Sequence, residues 1–439
     1  MDYGFIFDHN RCVDCKACSA ACILENGWQN SMRSVFIFNA ARLPELPVVN
    51  LSMACNHCGK AICLDGCPSG AIYRHDLTGA VVVDETKCLG CKYCQWNCPY
   101  DAPEFDNGKR TISKCHLCYN GFAEGRAPAC ASACPTGALS FGKISDKAKR
   151  KIFSWFPDKK LEPSLRFTGK DYGNRPSVVP GELFHSQMKP AAQRDRHLKG
   201  IWVLVLFSFI VTLSVSYVIT SLFEGTFPDQ WIFFPAIVVA GLISLLHLGH
   251  PERAWKAPLN IKTSPLSREI TAFIIYAILS FIAVLLRIPA VLLAASAAGL
   301  ILLILIDAVY YFSDRSRRII LHGGQTFLSA LLMVSFLTRN VLPFTFIALL
   351  KLSASFYNMA SLKNTGAYFG LRFMRFAILL ITGVILVSGR FVISEVVIIS
   401  FFTGELIDRI LYYVDFNPVN INDMILNNEI TYSNETKRN

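Results

Sequence analysis

The sequence has little charge, and its cysteine is confined to one part of the chain. Only 17% of the 439 residues are charged, whereas 52% are hydrophobic; an average soluble domain has about 25% charged residues. All 16 cysteines lie between Cys12 and Cys134, and none follows. One part of the chain is therefore rich in cysteine and the other is apolar. This pattern argues against a single globular domain, a disordered chain and a small disulfide-bonded secreted protein.

The cysteines fall into four groups of four. The first and third groups have the spacing C-x2-C-x2-C-x3-C that is typical of bacterial ferredoxins. The other two keep the opening C-x2-C and the closing C-x3-C, with insertions between them. Three closely spaced thiolates can each bind a different iron of one cubane cluster, and we expect the fourth to begin a short helix and to reach a neighbouring cluster. The groups are Cys12, Cys15, Cys18 and Cys22; Cys55, Cys58, Cys63 and Cys67; Cys88, Cys91, Cys94 and Cys98; and Cys115, Cys118, Cys130 and Cys134.

Zinc sites and disulfides are the alternative uses of these cysteines. A zinc ribbon needs only two C-x2-C pairs and gains nothing from a C-x3-C tail. Residues 1–12 lack a basic segment followed by an apolar run, so we expect the chain to be made and loaded with metal in the cytoplasm, where disulfides are rare. At four ligands per cluster, the cysteines predict four [4Fe–4S] clusters. A predicted hairpin of Ile72–Tyr73 and Val81–Val83 indicates an α+β ferredoxin-like fold, which we assign to residues 1–180.

The formal charge of +11 would suit a protein that binds nucleic acid. Each oxidised cluster with its four thiolates carries a charge of about −2, however, so that four clusters leave a balance of about +3. The basic residues are then explained by local compensation and by charges that flank a membrane. We expect no nucleic-acid partner.

Residues 143–199 differ in composition from the segments on either side. They contain the basic string KISDKAKRK, several prolines, and scattered Gly and Ser. This composition predicts an extended tail over the iron–sulfur domain, followed by a linker over 181–199. The basic run at 147–151 is predicted to be a solvated face, with contact to lipid headgroups or a partner subunit as the alternative.

The rest of the chain is predicted to be an all-α membrane domain over 200–415, followed by a polar tail over 416–439. Residues 200–223 carry no formal charge and are long enough to span a bilayer. Only helices are expected here, because lipid cannot satisfy exposed backbone groups. The hydrophobic pattern predicts about eight transmembrane helices, at 200–223, 230–249, 270–286, 288–312, 324–338, 341–362, 374–389 and 391–413.

Some charges fall inside the predicted helices. Asp307 and Lys351 would be costly in contact with lipid, so we expect each to face the helix bundle or an aqueous cavity, most simply in a structural ion pair. Glu405 and Arg409 are spaced i,i+4 on the last helix and could pair with each other.

Lys and Arg near the predicted helix ends are distributed unevenly. Eight helices place both ends of the membrane domain on one side, and that side has fourteen basic residues against three. The positive-inside rule then puts the iron–sulfur domain on the cytoplasmic face of a bacterial membrane, with the periplasmic face as the alternative. The fourteen are Lys189, Arg194, Arg196, Lys199, Arg253, Lys256, Lys262, Arg268, Arg315, Arg317, Arg318, Lys363, Arg372 and Arg375; the three are Arg287, Arg339 and Arg390.

A haem between membrane helices usually needs histidine ligands. Beyond residue 200 the chain has only His247, His250 and His322, all near predicted helix ends. We therefore predict no haem, so that a quinone must exchange electrons directly with an iron–sulfur cluster.

Two residues on the side of the iron–sulfur domain are candidates for a quinol site. His247 ends the second predicted helix and Glu269 opens the third. A histidine and a carboxylate can hydrogen-bond the hydroxyls of a quinol and accept its protons. The alternative is ordinary polarity at helix ends, where a Glu at an N-terminus favours the helix dipole.

Several strings resemble those of a known family of respiratory enzymes. NCPYDAP at 97–103 and KCHLC at 114–118 resemble the four-cluster electron-transfer subunit of dimethyl sulfoxide reductase and its relatives. HLGHPERA at 247–254, LSREI at 266–270 and GELIDR at 404–409 resemble the membrane anchor subunit of the same family. The chain is therefore similar to a fusion of two subunits that are usually separate.

The resemblance implies how the cysteines are shared among clusters. In the family, the first group pairs with the fourth and the second with the third, and each pair exchanges its last cysteine. The first cluster would take Cys12, Cys15, Cys18 and Cys134; the second Cys115, Cys118, Cys130 and Cys22; the third Cys55, Cys58, Cys63 and Cys98; and the fourth, nearest the membrane, Cys88, Cys91, Cys94 and Cys67. Nitrate reductases have tryptophan in place of Cys91, so the chain resembles the dimethyl sulfoxide reductase branch.

The resemblance also implies a function. It indicates an electron-transfer and anchor subunit that oxidises menaquinol at His247 and Glu269 and supplies a molybdopterin-type reductase subunit. One alternative is the reverse flow, from a formate, hydrogen or pyridine-nucleotide dehydrogenase to quinone. Another is a non-redox membrane protein with structural clusters. The chain has no nucleotide loop, no Ser/His/Asp arrangement and no recognisable molybdopterin domain, so we expect it to depend on a catalytic partner.

Overall fold

The computed structural model describes residues 3–28, 31–38, 48–122, 124–144, 156, 160–169, 198–313, 322, 324–361, 368–388 and 395–416. These residues form two compact units: unit one lies within Met1–Arg194 and unit two within Asp195–Pro418. The basic run at 147–151, nearly all of the predicted linker and the tail beyond residue 416 lie outside the described residues.

The β-strands of unit one form one small sheet and a set of hairpins. Strand β1 (Tyr3–Asp8) is central in the sheet, antiparallel to β8 (Leu139–Lys143) and parallel to β9 (Leu165–Thr168). Among the described residues the hairpins are β2 (Ser34–Phe38) with β3 (Val49–Met53), β4 (Ile72–Arg74) with β5 (Val81–Val83), and β6 (Glu104–Asp106) with β7 (Thr111–Ser113). The β4–β5 hairpin confirms the prediction made for this segment.

The helices of unit one are short and carry cysteines. They are α1 (Ala17–Asn26), α2 (Ile62–Asp65), α3 (Tyr93–Asn97), α4 (Tyr119–Phe122) and α5 (Ala129–Ser132). In every group the third cysteine lies near the start of a helix: Cys18, Cys63, Cys94 and Cys130. The fourth cysteine begins none of these helices, although Cys22 lies further along α1. The expectation that the fourth cysteine begins the helix is therefore wrong. The C-x3-C spacing equals about one helical turn, so the fourth cysteine follows on the next turn or just beyond it.

The core of unit one is aromatic. Phe7 on β1 and Phe167 on β9 are fully buried and meet edge to face, with ring centroids 6.3 Å apart. Tyr100 stacks on Phe156, which in turn contacts Phe167. These rings close the space between the sheet and the cysteine loops, and each buried aromatic side chain contributes roughly 1.5–3 kcal/mol to stability.

The described part of unit two is helical. Its helices are α6 (Leu198–Phe223), α7 (Gln230–Leu245), α8 (Pro265–Leu286), α9 (Pro289–Ser313), α10 (Thr326–Leu337), α11 (Val341–Ser361), α12 (Phe369–Val387) and α13 (Glu395–Asp415), with a 3₁₀ segment at Pro251–Asn260. Each lies where the hydrophobic pattern predicts a helix, with ends shifted by a few residues. Helix α8 begins at Pro265 because Ser264 accepts a hydrogen bond from the Ser267 N–H and proline suits the first helical position.

Four of these helices are long and apolar enough to cross a membrane: Ile201–Phe223, Pro265–Leu286, Pro289–Tyr311 and Phe369–Val387. Helices α7 and α10 and the 341–357 part of α11 are apolar but shorter. By length and composition, the described residues thus support four membrane spans, whereas about eight were predicted from the sequence.

Unit two packs around helix α6, and its outer surface is apolar. Gly299 on α9 lies so close to α6 that a Cβ atom there would stand 2.9 Å from Val215; small residues allow such close helix contacts in membranes. Large apolar side chains such as Ile278, Leu293 and Val384 are more than half exposed. Such a surface suits contact with lipid.

The basic residues counted as membrane flanks require one correction. Arg375 is buried within α12, only 4% exposed, and is paired with carboxylates, so it is not a flanking charge. Several others, including the three arginines at 315–318 and Lys363, lie outside the described residues.

Candidate functional site

Three of the cysteine groups contain loops whose backbone N–H groups point at sulfur. In each loop the residue two positions after a cysteine donates its N–H to that cysteine and has a positive φ angle. The bonds are His57 to Cys55 at 3.5 Å, Gly90 to Cys88 at 3.4 Å and Leu117 to Cys115 at 3.4 Å. Such donors stabilise negative charge on sulfur, which a metal-binding thiolate requires.

Cysteines from the first and fourth groups line a common pocket. The walls of this pocket include Cys22, Cys115, Cys118 and Cys130. Burial raises the pKa of the Cys118 thiol, and the nearby Cys130 and Cys22 sulfurs raise it further. The Cys22 sulfur thus lies beside thiols of the fourth group.

The last cysteine of the fourth group is brought to the first group in turn. Burial raises the pKa of the Cys12 thiol, and the neighbouring Cys18 and Cys134 sulfurs raise it further. Cys15 is exposed and lies between Cys12 and Cys18 in the same short segment.

In the second and third groups, too, the last cysteine of each lies near thiols of the other. Burial raises the pKa of the Cys58 thiol, with further increases from the Cys55, Cys98 and Cys63 sulfurs. Burial also raises the pKa of Cys91 to about 12, with contributions from Cys67 and Cys88. The described geometry therefore places Cys98 beside the second group and Cys67 beside the third.

The chemistry of these sulfur atoms fits a cluster. All 16 cysteines are free thiols, and most are buried or half-buried. Burial raises the pKa of thiols such as Cys58 and Cys118, so iron must displace their protons when it binds. Within the described residues no three His, Cys, Asp or Glu side chains are arranged to hold a single metal ion. A cubane has a different requirement, since each of its four irons takes one thiolate.

Two buried cations lie among the cysteines. Arg33 is 2% exposed, and its Nη1 donates to the backbone and side-chain oxygens of Ser52 at 3.3 and 3.1 Å. Lys114 is 4% exposed, and its Nζ donates to the Cys115 carbonyl at 3.0 Å and to the Val81 carbonyl. Neither residue was identified as a functional candidate from the sequence. Lys114 belongs to the KCHLC string, whereas nothing in the local sequence distinguishes Arg33.

Some buried donors near the cysteines have no partner. His57 accepts the Val81 N–H at Nδ1 over 3.1 Å, so its proton lies on Nε2. Neither His57 Nε2 nor Arg33 Nε and Nη2 has a hydrogen-bond partner among the described residues. Buried N–H groups are rarely left unpaired, so these donors are consistent with a sulfur-rich group held by the cysteines.

In unit two, His247 and Glu269 lie at the same end, because α7 ends and α8 begins there. Glu269 is 8% exposed and within electrostatic reach of Arg409 and Asp307. His247 is half-buried. The predicted helix limits were wrong here: α7 ends at Leu245, so His247 lies in the turn that follows, and Glu269 lies one turn inside α8.

The other two histidines of unit two are engaged by acidic residues. His250 Nδ1 lies 2.8 Å from Glu252 Oε1, and His322 Nε2 lies 3.0 Å from Asp415 Oδ2. His322 has both ring nitrogens engaged, because its Nδ1 also accepts the Gly324 N–H at 2.9 Å. The absence of haem stays a prediction.

A group of four charges is buried inside unit two. Lys351 on α11 is 0% exposed, and its Nζ lies 2.5 Å from Glu405 Oε2 and 3.1 Å from Asp408 Oδ2 on α13. Arg375 on α12 completes the group, with Nη2 at 2.6 Å from Glu405 Oε1 and 3.3 Å from Asp408 Oδ2. Two cations thus face two carboxylates across three helices.

Arg409 on α13 forms a second pairing. Its Nη1 lies 3.2 Å from Asp307 Oδ1 on α9, and its Nε donates to Ser208 Oγ at 2.8 Å. The expectation that Asp307 and Lys351 face the bundle in ion pairs is confirmed. The predicted pair between Glu405 and Arg409 is wrong, because each of the two binds residues of other helices.

Two family models match separate parts of the chain. The model described as "4Fe-4S dicluster domain" matches residues 47–144, within unit one. The model described as "DMSO reductase anchor subunit (DmsC)" matches residues 229–316, within unit two.

Several curated proteins similar to the chain are named as chains or subunits of reductases and dehydrogenases. The chain is 39% identical over 154 residues to "Probable anaerobic dimethyl sulfoxide reductase chain YnfG" of Escherichia coli, covering 33% of this chain and 75% of that protein. It is 34% identical over 166 residues to "Thiosulfate reductase electron transfer subunit PhsB" of Salmonella typhi, covering 36% and 83%. It is 30% identical over 202 residues to a sulfite dehydrogenase subunit of Allochromatium vinosum, covering 40% and 80%.

These matches agree with the strings found in the two parts of the sequence. The matches cover three quarters or more of each relative's own length, and the anchor match lies in the apolar part of the chain. The chain therefore belongs to the iron–sulfur electron-transfer subunits of the dimethyl sulfoxide reductase family, and it carries that family's membrane anchor domain in the same polypeptide.

Proposed function

We propose that the chain oxidises menaquinol in unit two and delivers the electrons, through four [4Fe–4S] clusters in unit one, to a molybdopterin-type reductase subunit. The observation that carries the electron-transfer part is the pocket in which Cys22 joins Cys115, Cys118 and Cys130. In this proposal Cys22 is exchanged between two groups, as expected for two clusters that lie close together.

The other sulfur neighbourhoods support the same assignment. Cys134 lies beside Cys12 and Cys18, Cys98 beside Cys55 and Cys58, and Cys67 beside Cys88 and Cys91. The four ligand sets are then those that the family resemblance implies. When bound, each cluster supplies transfer of one electron at a time.

Glu269 and His247 are the residues proposed to receive the quinol. Oxidation of a quinol releases two protons together with two electrons, so the site needs proton acceptors. The Glu269 carboxylate can accept a hydrogen bond and then a proton from one hydroxyl, and a ring nitrogen of His247 can serve the other. The burial of Glu269 excludes water that would otherwise compete for the hydroxyl.

We further propose that all eight helices cross the membrane and that the iron–sulfur domain faces the cytoplasm. Helix α13 has more charged residues than are usual in a membrane span. Its Glu405, Asp408 and Arg409, however, are buried in ion pairs with other helices. Charges that are paired inside a bundle cost far less than charges in contact with lipid. The excess of Lys and Arg on one side supports the orientation.

The experiment is to replace Glu269 by Gln and His247 by Ala in the membrane-bound complex. Each change removes a proton acceptor, so menaquinol-dependent turnover should fall about 10²-fold or more. The electron paramagnetic resonance spectra of the clusters should stay normal, because both residues lie in unit two.

Glu252→Gln is the matched control. Glu252 lies between the two candidates in the sequence, but its side chain is 64% exposed, and its loss should leave turnover near the wild-type rate. If both test variants also turned over at nearly the wild-type rate, the quinol site would have to lie elsewhere.

One observation favours the reverse direction as a second candidate. A relative is named as part of a sulfite dehydrogenase, which indicates that similar subunits also serve oxidative partners. In this case the chain would receive electrons from a dehydrogenase and reduce quinone. The identity of the subunit that co-purifies with the chain distinguishes the two directions.

A further inference from the structure

Arg33 differs from the other cations of unit one in its surroundings. It is 2% exposed and lines the pocket formed by Cys22, Cys115, Cys118 and Cys130. Its Nη1 donates two hydrogen bonds to Ser52, while Nε and Nη2 are buried without a hydrogen-bond partner among the described residues. The guanidinium also lies over the Phe5 ring, 4.2 Å from its centroid, which fixes its plane.

Arg33 is also connected to a cysteine outside this pocket. Ser52 Oγ, which accepts a hydrogen bond from Arg33, lies 3.5 Å from the Cys18 sulfur. The guanidinium is within electrostatic reach of Cys130, Cys115 and Cys18. In the ligand assignment proposed above, Cys115 and Cys130 hold the second cluster and Cys18 holds the first. Arg33 therefore stands between two cluster sites.

A purely structural role accounts poorly for this arrangement. A buried arginine that serves packing is normally paired with a carboxylate and uses most of its five donors. Arg33 has no carboxylate partner among the described ion pairs, and the groups that act on its guanidinium beyond Ser52 are the sulfurs of Cys130, Cys115 and Cys18. Lys114 is also within electrostatic reach of cysteines, namely Cys55, Cys63 and Cys115, but it differs from Arg33 in that two backbone carbonyls accept hydrogen bonds from its ammonium group.

We propose that Arg33 is a potential-setting residue: its free N–H groups donate to the cluster held by Cys22, Cys115, Cys118 and Cys130, and its fixed positive charge raises the reduction potential of that cluster. The proposal rests on the ligand assignment given under the proposed function. To a smaller degree, Arg33 should also raise the potential of the first cluster, through Ser52 and Cys18.

The sign follows from electrostatics. Reduction adds one negative charge to a cluster, and a nearby cation stabilises the reduced form more than the oxidised form. Burial strengthens this effect, because water does not screen the charge. Net charge and hydrogen bonds to sulfur are established determinants of cluster potential. Arginine keeps its proton in proteins, so the effect should not depend on pH.

The test is a potentiometric titration of the full-length chain, followed by electron paramagnetic resonance, for wild type, Arg33→Met and Arg33→Lys. We expect Arg33→Met to lower the midpoint potential of the second cluster by at least the equivalent of a tenfold change in its reduction equilibrium, or about 59 mV for one electron. The first cluster should shift less, and the third and fourth should not shift. Arg33→Lys keeps the charge and should restore most of the potential.

Lys16→Gln is the control for loss of one positive charge next to a ligand. Lys16 follows Cys15 directly, but its side chain is 38% exposed and lies 3.8 Å from Asp14. Because solvent screens it, its removal should shift no potential by more than a small fraction of the Arg33→Met effect.

Two further variants keep the proposal open to refutation. Cys118→Ser removes one proposed ligand of the second cluster and so identifies the component of the titration that belongs to it. If Arg33→Met loads less iron than wild type, Arg33→Gln is titrated in its place. Wild-type potentials in every neutral variant that loads its iron would overturn the proposal. So would loss of the second cluster in both neutral variants when Arg33→Lys retains it, since Arg33 would then be structural.

The same data separate this proposal from the ligand assignment. If Cys118→Ser and Cys22→Ser alter different components of the titration, the assignment fails whatever Arg33 does. If they alter the same component and Arg33→Met leaves it unchanged, only the role of Arg33 is refuted.

Discussion

The buried charges of unit two allow a sharp prediction for Lys351→Met. In the native chain Lys351 and Arg375 balance Glu405 and Asp408, all four being at most 4% exposed. Replacing Lys351 leaves two carboxylates with one cation. Methionine is similar in length to lysine, so the change removes charge with little loss of volume. Removal of one partner from a buried ion pair destabilises a protein by about 3–5 kcal/mol, and we expect a loss of this size.

The measurement is thermal unfolding of the chain in detergent. A loss of about 1 kcal/mol lowers the midpoint by roughly 2–4 °C for a unit of this size, so Lys351→Met should unfold on the order of 10 °C below wild type. The double variant Lys351→Met/Asp408→Asn restores the balance, with Arg375 facing Glu405 alone. It should therefore be more stable than Lys351→Met, with a coupling energy of about 1 kcal/mol or more.

Lys262→Met is the control, because Lys262 is an exposed lysine of the same unit; its loss should change stability by about 0.5 kcal/mol or less. Strictly additive effects of Lys351→Met and Asp408→Asn would show that the two charges do not interact. If Lys351→Met lost no more stability than the control, Lys351 would not be buried together with the other three charges.

Three other predictions concern cofactors and orientation. The purified chain should contain about 16 irons and as much acid-labile sulfide, since four clusters have four irons each; an analysis near two clusters, or zinc in place of iron, would contradict the ligand assignment. The dithionite-reduced spectrum should show no haem b band, because the three histidines beyond residue 200 all lie near the ends of predicted helices and no two of them are placed to bind one haem inside the membrane. Alkaline phosphatase fused after Asn439 should be inactive, since eight crossings put that end on the cytoplasmic side with the iron–sulfur domain; a highly active fusion would refute the charge count.

The sequence was sufficient to locate the local elements of both units. The cysteine spacing identified the iron–sulfur domain, and the β4–β5 hairpin and the helices of unit two lie where the pattern predicted them. Such features depend on residues a few positions apart, whose relation is set by the geometry of a turn, a strand or a helix. The limits of α7 and α8 were not predicted correctly, because the Ser264 cap sets the start of α8 and a turn after Leu245 ends α7, whereas the prediction used hydrophobicity.

Spacing alone did not decide which distant residues meet. Glu405 and Arg409 are one turn apart on α13, yet Glu405 binds Lys351 and Arg375 while Arg409 binds Asp307. The prediction that Cys22 and Cys134 are exchanged between groups came from family resemblance and not from the spacing of the cysteines.

Tertiary structure also decided the surroundings of single residues. The position of Arg33 among the cysteines has no sequence signal at all, because it arises when β2 and β3 fold against the cysteine loops. The hydrophobic pattern predicts the helices and strands, because each of these elements has a regular repeat of a few residues. The partners of a buried charge are decided by tertiary packing, because only packing determines which opposite charges of distant elements come into contact.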